Sequence, residues 1–147
     1  MATQNTGTEI TLRLERSIAA PPAKVFEAWT RAEALTRWFA PAPEFTTVVH
    51  ALEPRVGGAY RIEMRPPDRD PSIVVGTFRE VTAPTRLVFT WTWDEPGATE
   101  TLVTVTIQAE GKGSRLALVH ERFASAEDRD KHLQGWEGCL DRLPNAV

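Results

Sequence analysis

Few residues in this chain have the type and spacing needed for acid–base or nucleophilic chemistry. His120 follows Leu116 and Leu118 at alternate positions, which predicts an inward-facing histidine on a strand. Such a histidine needs hydrogen-bond partners, and histidine ordinarily titrates close enough to neutral pH to transfer protons. We therefore consider two roles for His120: it orients a ligand carbonyl or hydroxyl group, or it is a structural residue bonded to the backbone. His50 and His132 are predicted to lie on the surface.

The sequence contains no motif for metal binding, for cofactor binding or for covalent catalysis. The three histidines are widely separated, without HxH or HExxH spacing, and Cys139 is the only cysteine. One cysteine excludes an intramolecular disulfide and a cysteine-based zinc site. The sequence also has no Gly-x-Ser-x-Gly elbow and no glycine-rich phosphate loop. We expect no metal and no cofactor, and we interpret Cys139 as a small buried apolar side chain.

Aromatic residues are the more promising candidates, because the chain has five Trp and six Phe. Phe89, Trp91 and Trp93 alternate along one predicted strand, and Trp136 on the last predicted helix would face them. The candidate ligand-binding residues share such inward positions: they are Trp38, Phe39, Tyr60, Met64, Phe89, Trp91, Trp93, His120, Trp136 and Leu140. These rings either line a pocket for a small apolar or aromatic molecule or fill a solid core.

The elements that must position these residues follow from hydrophobic periodicity. Alternation over 9–18 predicts a strand, and the prolines at 21–22 open the first of two short helices, which end before Pro41. About six antiparallel strands joined by turns follow, up to His120. Ser125 indicates the start of a long C-terminal helix that ends at Pro144. This order predicts an α+β fold in which the long helix packs on a curved antiparallel sheet.

Composition and charge exclude several classes of protein. The 147 residues suit one domain over 1–147, with residues 1–8 expected to be a flexible tail. A net charge of −3 gives no general attraction to nucleic acid or to an anionic membrane. No apolar run approaches the roughly 20 residues of a membrane span, and the polar N-terminus does not resemble a signal peptide. We expect a cytoplasmic protein. A homodimer is compatible with the sequence, although no interface is visible in it.

Several segments, in this order along the chain, resemble a known family. They are Pro22–Thr30, Leu35–Phe39, Val56–Tyr60, Gly76–Val81, Arg86–Trp91 and Gly135–Leu143. Over roughly residues 9–143 the chain resembles bacterial proteins similar to the activator of the heat-shock-protein-90 ATPase, within the SRPBCC (START-like) superfamily. The resemblance implies a helix-grip fold: six to seven curved antiparallel strands wrapped around the C-terminal helix, with an apolar cavity between them.

Three functions remain open. The first is binding of a small hydrophobic or aromatic molecule between sheet and helix, without turnover. The second is a cyclase-like or aromatase-like enzyme that uses the same cavity, with His120 as acid or base. The third is a protein-interaction or chaperone-associated module, which predicts a solid core and an exposed apolar patch. The eukaryotic activator has an extra domain that engages the chaperone, so we do not expect co-chaperone activity here.

Overall fold

The computed structural model describes residues 10–147, which form a seven-stranded sheet and three α-helices. The elements are β1 (Leu12–Ile18), α1 (Pro22–Thr30), α2 (Ala32–Trp38), β2 (Thr46–Leu52), β3 (Ala59–Arg65), β4 (Ser72–Thr82), β5 (Arg86–Trp93), β6 (Thr101–Glu110), β7 (Gly113–Glu121) and α3 (Ala126–Arg142), followed by a 3-10 turn (Leu143–Ala146). The predicted α+β order, with two short helices after the first strand, is confirmed. The tail expected over 1–8 lies outside the described residues.

The sheet is antiparallel throughout, with the strand order β1-β7-β6-β5-β4-β3-β2. Strands adjacent in sequence are neighbours from β2 to β7, whereas β1 returns to pair with β7, from Leu12 opposite His120 to Ile18 opposite Ser114. The Ser114 hydroxyl donates a hydrogen bond of 2.7 Å to the Ala20 carbonyl, which fixes the chain as it leaves β1. The curved sheet wraps around α3, as in the predicted helix-grip fold.

The two short helices bury aromatic side chains against this core. α1 begins at Pro22, where a proline needs no hydrogen-bond donor, and it buries Val25, Phe26 and Trp29 on one face. α2 buries Leu35 and Trp38, and the Trp38 indole donates a hydrogen bond of 2.8 Å to the Ala28 carbonyl in α1. This hydrogen bond connects α1 to α2, and the residues that follow α2 lie near α3.

The long helix α3 begins with a side-chain cap. The Ser125 hydroxyl accepts a hydrogen bond of 3.1 Å from the Asp128 backbone N–H, as the sequence predicted for this helix start. Gly138 permits the close approach of α3 to the segment after α2, because a Cβ atom there would overlap the Pro41 carbonyl oxygen. Each helix between residues 10 and 147 is too short or too polar to span a bilayer.

One feature of the outer sheet face departs from the sequence interpretation. The alternation of Arg61, Glu63 and Arg65 predicts a solvated strand face, but Glu63 is only 8% exposed. Its carboxylate accepts hydrogen bonds of 2.7 Å and 3.3 Å from Arg65 and pairs with His50 at 2.7 Å. These partners, Arg65 first, lower the pKa of Glu63 to about 2. Glu63 is thus buried on a strand because Arg65 and His50 form hydrogen bonds with its carboxylate.

Candidate functional site

An open cleft of about 580 Å³ lies beside α3, near the C-terminal ends of β3 and β5. Its apolar walls come from the segment after α2, from both strands and from α3: they are Phe39, Pro41, Met64, Trp91, Trp93 and Trp136. Polar side chains contribute the rest of the lining: they are Glu95, Asp128, Lys131, His132 and Gln134. Gly135 and Cys139 complete it. A volume of this size accommodates a small organic molecule.

The structure separates the ten sequence-predicted ligand residues into three groups. Five of them line the cleft: Phe39, Met64, Trp91, Trp93 and Trp136. Tyr60 and Phe89 instead border a separate inner cavity of about 20 Å³, which Phe39 and Trp91 also line. Trp38, His120 and Leu140 are buried and belong to neither lining. The rings therefore both fill a core and line a cleft, which answers the question that the sequence left open.

A continuous ring cluster supports the inner wall of the cleft. The ring centroids of Trp91 and Trp136 are 5.1 Å apart, and Phe39 lies 6.0 Å from Trp91 and 5.9 Å from Trp136. Trp29 extends the cluster behind Trp136, at 5.9 Å. Rings at these separations are in the range of favourable aromatic contacts. The wall is thus made of large, closely packed side chains drawn from α1, the end of α2, β5 and α3.

His120 lies behind this wall and is part of a chain of hydrogen bonds in which each donor and each acceptor can be identified. An indole nitrogen can only donate, so the Trp136 Nε1–H donates to His120 Nδ1 at 3.0 Å. His120 Nε2 then carries the proton and donates to the Thr101 hydroxyl at 2.7 Å. Thr101 in turn donates to the Trp91 carbonyl at 2.9 Å. Both nitrogens of His120 are engaged, and the chain connects α3, β7, β6 and β5.

Burial keeps His120 neutral. The residue is completely inaccessible to solvent, and this loss of hydration, with a smaller contribution from His132, lowers the pKa of His120 to about 2. Tyr60 shows the corresponding effect for an acid: its hydroxyl donates to the Thr90 carbonyl at 2.6 Å, and burial raises the pKa of Tyr60 well above its ordinary value. In the described geometry these two groups serve as hydrogen-bonding residues of the interior.

The prediction that His132 is a surface residue is wrong. His132 is half-buried in the wall of the cleft, where its Nδ1–H donates to the Asp128 carbonyl at 2.8 Å. Its Nε2 accepts a hydrogen bond of 2.9 Å from the Trp93 indole, which joins α3 to β5. A helical pattern could have revealed this position, because His132 is four residues before Trp136 and therefore lies on the same helix face.

Two indole nitrogens near the cleft have no partner among residues 10–147. They are Nε1 of Trp29 and Nε1 of Trp91, both buried, and both rings line the inner cavity of about 20 Å³. The rings of His120 and His132 lie 5.4 Å and 6.2 Å from the Trp91 ring, measured between centroids, and these histidines already accept hydrogen bonds from Trp136 and Trp93. A buried donor without an acceptor is unusual and costly in a folded protein.

Cys139 lies at the base of the cleft as a buried side chain, as the sequence predicted. Burial raises the pKa of the Cys139 thiol to about 12, so the reactive thiolate form is not populated near neutral pH. Within residues 10–147 no three histidine, cysteine or acidic side chains come together in a way that could hold a metal ion. Pro41 and Glu95 also line the cleft, but both lie outside helices and strands, where periodicity gives no signal.

A seven-stranded sheet wrapped around a C-terminal helix defines a helix-grip protein, and solved structures share this fold. A protein from Chromobacterium violaceum superimposes with a TM-score of 0.86 at 29% identity, covering 93% of this chain and 96% of its own. The AHSA1 protein from Silicibacter pomeroyi gives 0.82 at 25% identity, covering 92% and 95%. A protein from Nitrosomonas europaea gives 0.78 at 23% identity, covering 93% of each chain, and shows the fold alone.

Residues 19–147 match the family described as Activator of Hsp90 ATPase homolog 1-like protein, and the chain belongs to this family. The resemblance seen in the sequence is confirmed. Among curated proteins, none matches the sequence significantly.

Proposed function

We propose that this protein binds a small, largely apolar aromatic molecule in the cleft between α3 and the ends of β3 and β5. The observation that carries the proposal is the cleft itself: about 580 Å³, open to solvent, with an inner wall of tryptophan and phenylalanine rings. Binding sites for small molecules are typically concave and mostly apolar, with a few polar groups that set orientation. The polar groups here come from α3 and from Glu95.

The environment of His120 supports binding without proton transfer by that residue. An acid–base catalyst must reach the proton that it moves, by direct contact or through one water molecule. His120 is inaccessible, neutral, and bonded at both nitrogens to Trp136 and Thr101. In the proposed complex it positions the Trp136 ring that the ligand contacts. The interaction-module alternative predicts an apolar patch, whereas the exposed large apolar side chains among residues 10–147 are Val56 and Val147.

Gly135 provides a direct test, because it lines the cleft and has open space where a Cβ atom would stand. The Gly135→Leu variant adds a side chain to the cleft without removing any existing contact. With 2-ethylnaphthalene as the probe, measured by isothermal titration calorimetry, we expect Gly135→Leu to weaken binding about tenfold or more, or about 1.4 kcal/mol. The backbone amide signals of 135–136 should also shift in NMR spectra of the unmodified protein.

The matched control is Glu137→Leu, which adds the same side chain to an exposed position of α3 outside the cleft. This variant should bind the probe as the unmodified protein does. The proposal fails if a panel of neutral one-ring to three-ring aromatic compounds shows no binding heat and no shift of the 135–136 signals. Equal weakening in both variants would also count against the cleft as the site.

A further inference from the structure

A second, smaller space adjoins the cleft, and we call it the side pocket. Its volume is about 160 Å³, and part of its lining is the loop between β5 and β6, at 97–99. The cleft and the side pocket share five lining residues: they are Trp91, Trp93, Glu95, Asp128 and His132. The boundary between the two spaces is therefore formed by the end of β5, the start of this loop and the first half of α3.

A hydrogen bond links β5 and α3 at this boundary. The indole of Trp93, the last residue of β5, donates to His132 Nε2 at 2.9 Å. On the other side of the imidazole, Nδ1–H donates to the Asp128 carbonyl at 2.8 Å. Because an indole nitrogen can only donate, this arrangement requires a neutral His132 with its proton on Nδ1. The hydrogen bond between β5 and α3 thus exists in only one of the two charge states of the histidine.

Protonation of His132 by solvent breaks this hydrogen bond and keeps the other. A proton on Nε2 changes the acceptor into a donor, which then meets the Trp93 N–H without a lone pair to receive it. Nδ1–H is present in both charge states, so the hydrogen bond to the Asp128 carbonyl still holds the imidazole in place. The Trp93 side chain is therefore the partner that moves away.

The surroundings of Trp93 leave room for this movement. The side chain is half-buried and borders three open spaces: the cleft, the side pocket and a surface pocket of about 270 Å³ beside Ser72 and Ile73. Trp91, whose ring centroid is 5.4 Å from that of Trp93, is by contrast buried. Trp93 can thus turn away from α3 while the inner wall of the cleft stays in place.

Two carboxylates provide partners for the charged form of His132. Asp128 on α3 and Glu95 in the loop after β5 line both the cleft and the side pocket, as His132 does. Attraction between opposite charges is stronger in a partly enclosed site than in bulk water. Lys131 lines the cleft but not the side pocket, so it is not part of the boundary. The imidazolium therefore finds hydrogen-bond acceptors at the boundary itself.

The other neighbours of His132 add little charge. The ring of His120 in β7 lies 5.4 Å away, measured between centroids, and burial keeps it neutral. One turn earlier on α3, Arg129 pairs with Asp130 at 3.1 Å. Three further rings packed against His132 are uncharged: they are Trp91, Trp93 and Phe123. A change in the charge of His132 therefore acts mainly on its hydrogen bond with Trp93 and on the two carboxylates.

Resting on the proposed function, we infer that the Trp93–His132 hydrogen bond makes ligand binding sensitive to pH: the cleft binds its neutral aromatic ligand when His132 is neutral and releases it when His132 is protonated. Two effects weaken binding in the protonated form. The Trp93 ring leaves the cleft wall, which removes apolar contact area, and an apolar ligand must displace water from a charged imidazolium. Histidine ordinarily changes charge between pH 5 and pH 8, so we expect release in that range.

The first measurement needs no ligand. The indole N–H signal of Trp93 is followed by NMR from pH 8 to pH 5 in the unmodified protein, and it is identified by its absence from the spectrum of Trp93→Phe. Because a hydrogen bond shifts a proton signal downfield, we expect this signal to move upfield on acidification, with the same midpoint as the ring signals of His132. In His132→Gln, whose amide oxygen accepts a hydrogen bond but does not titrate, the signal should stay in place. If His132→Gln does not fold, the two midpoints in the unmodified protein give the answer.

The second measurement uses 2-ethylnaphthalene and isothermal titration calorimetry at pH 8 and pH 5, with circular dichroism to confirm that the protein is folded at both. We expect the unmodified protein to bind the probe about five- to tenfold more weakly at pH 5, an effect of the size of one hydrogen bond. His132→Gln should bind the probe equally at both pH values. This variant keeps Glu95 and Asp128, so the difference isolates His132.

His50→Gln is the matched control, because it makes the same substitution at a histidine that pairs with Glu63 and does not line the cleft. It should retain both the shift of the Trp93 signal and the pH dependence of binding. A Trp93 signal that does not move while His132 titrates would overturn the inference and leave the proposed function standing. Equal pH dependence in the unmodified protein and in His132→Gln would do the same, as would His132 ring signals that do not titrate down to pH 5. If no compound of the aromatic panel binds at either pH, the proposed function fails and the inference fails with it.

Discussion

A buried histidine remains stable in its neutral form only when one nitrogen meets a donor and the other an acceptor. His120 fulfils this requirement with the Trp136 indole and the Thr101 hydroxyl. The consequence is that the orientation of a cleft-lining ring, Trp136, depends on a residue that never contacts the cleft. Sequence alternation placed His120 in the interior, but its partners depend on which strands become neighbours in the sheet, and no local pattern contains that information.

We predict that Trp136→Phe is less stable than Trp91→Phe by about 1–3 kcal/mol in free energy of unfolding. Both variants lose a similar ring area. Trp136→Phe in addition leaves the buried Nδ1 of His120 without a donor, whereas the Trp91 indole has no partner to lose among the described residues. Urea denaturation measures the difference. Equal destabilisation of the two variants would mean that the Trp136–His120 hydrogen bond contributes little.

His120 also predicts a dependence of stability on pH. Its pKa is about 2 in the folded protein, against an ordinary value of 6.5, so below pH 6.5 the unfolded chain binds a proton that the folded protein excludes. Stability is therefore lost as the pH falls, by about 2 kcal/mol between pH 7 and pH 5 from this residue. Above pH 5 the carboxylate of Glu63, with an ordinary pKa of 4.5, stays largely ionised in both states and contributes little.

The measurement is the free energy of unfolding at pH 7 and pH 5, in the unmodified protein and in His120→Gln. The variant retains His50 and His132, so the difference isolates His120, and we expect its pH-dependent loss to be smaller by about 2 kcal/mol. The NMR signals of the His120 ring in the unmodified protein should show no titration down to pH 4. A titration midpoint near pH 6.5 would contradict the lowered pKa of His120.

At the scale of elements, two glycines of α3 have opposite roles. An added Cβ atom at Gly138 would overlap the Pro41 carbonyl oxygen, whereas at Gly135 it meets nothing within 4 Å. We predict that Gly138→Ala is destabilised by about 1–3 kcal/mol through forced separation of α3 from the segment after α2. Gly135→Ala, in contrast, should be stabilised by up to about 1 kcal/mol from helix propensity.

Thermal or urea unfolding of both alanine variants tests this pair, and each glycine serves as the control for the other. A neutral or stabilised Gly138→Ala would show that the loop at Pro41 yields without cost. Destabilisation of Gly135→Ala would show that the space beside Gly135 is needed by the unliganded protein itself.

The elements were largely predictable because each has a local cause. Alternation gave the inward side of β5, with Trp91 and Trp93, and Ser125 gave the first turn of α3. The site was predictable only where it lies on such elements, as with Met64 and Trp136. Glu95 and Pro41 reach the cleft from loops whose path is set by tertiary packing. Tyr60 and Phe89 border the inner cavity and not the cleft, a distinction that alternation does not provide because it gives a face but not a depth.

At the scale of the whole molecule, the aromatic cluster joins all layers of the fold. The ring centroid of Trp29 in α1 lies 4.7 Å from that of Trp38 in α2 and 5.9 Å from that of Trp136 in α3. The ring centroids of Trp136 and of Trp91 in β5 are 5.1 Å apart. We predict that unfolding is two-state, with coincident transitions in near-ultraviolet circular dichroism, which reports the rings, and far-ultraviolet circular dichroism, which reports the backbone. A ring transition that precedes the backbone transition would show that the helices detach from the sheet first.

The burial of Cys139 also has a practical consequence for labelling. The chain has a single cysteine, and with a pKa of about 12 its thiol presents almost no thiolate to alkylating reagents at neutral pH. A second cysteine introduced at an exposed position, such as Val56→Cys, would therefore react selectively with a maleimide dye or spin label. Cys139 would not need to be replaced, and distances between the label and the cleft could be measured in a protein whose interior is unchanged.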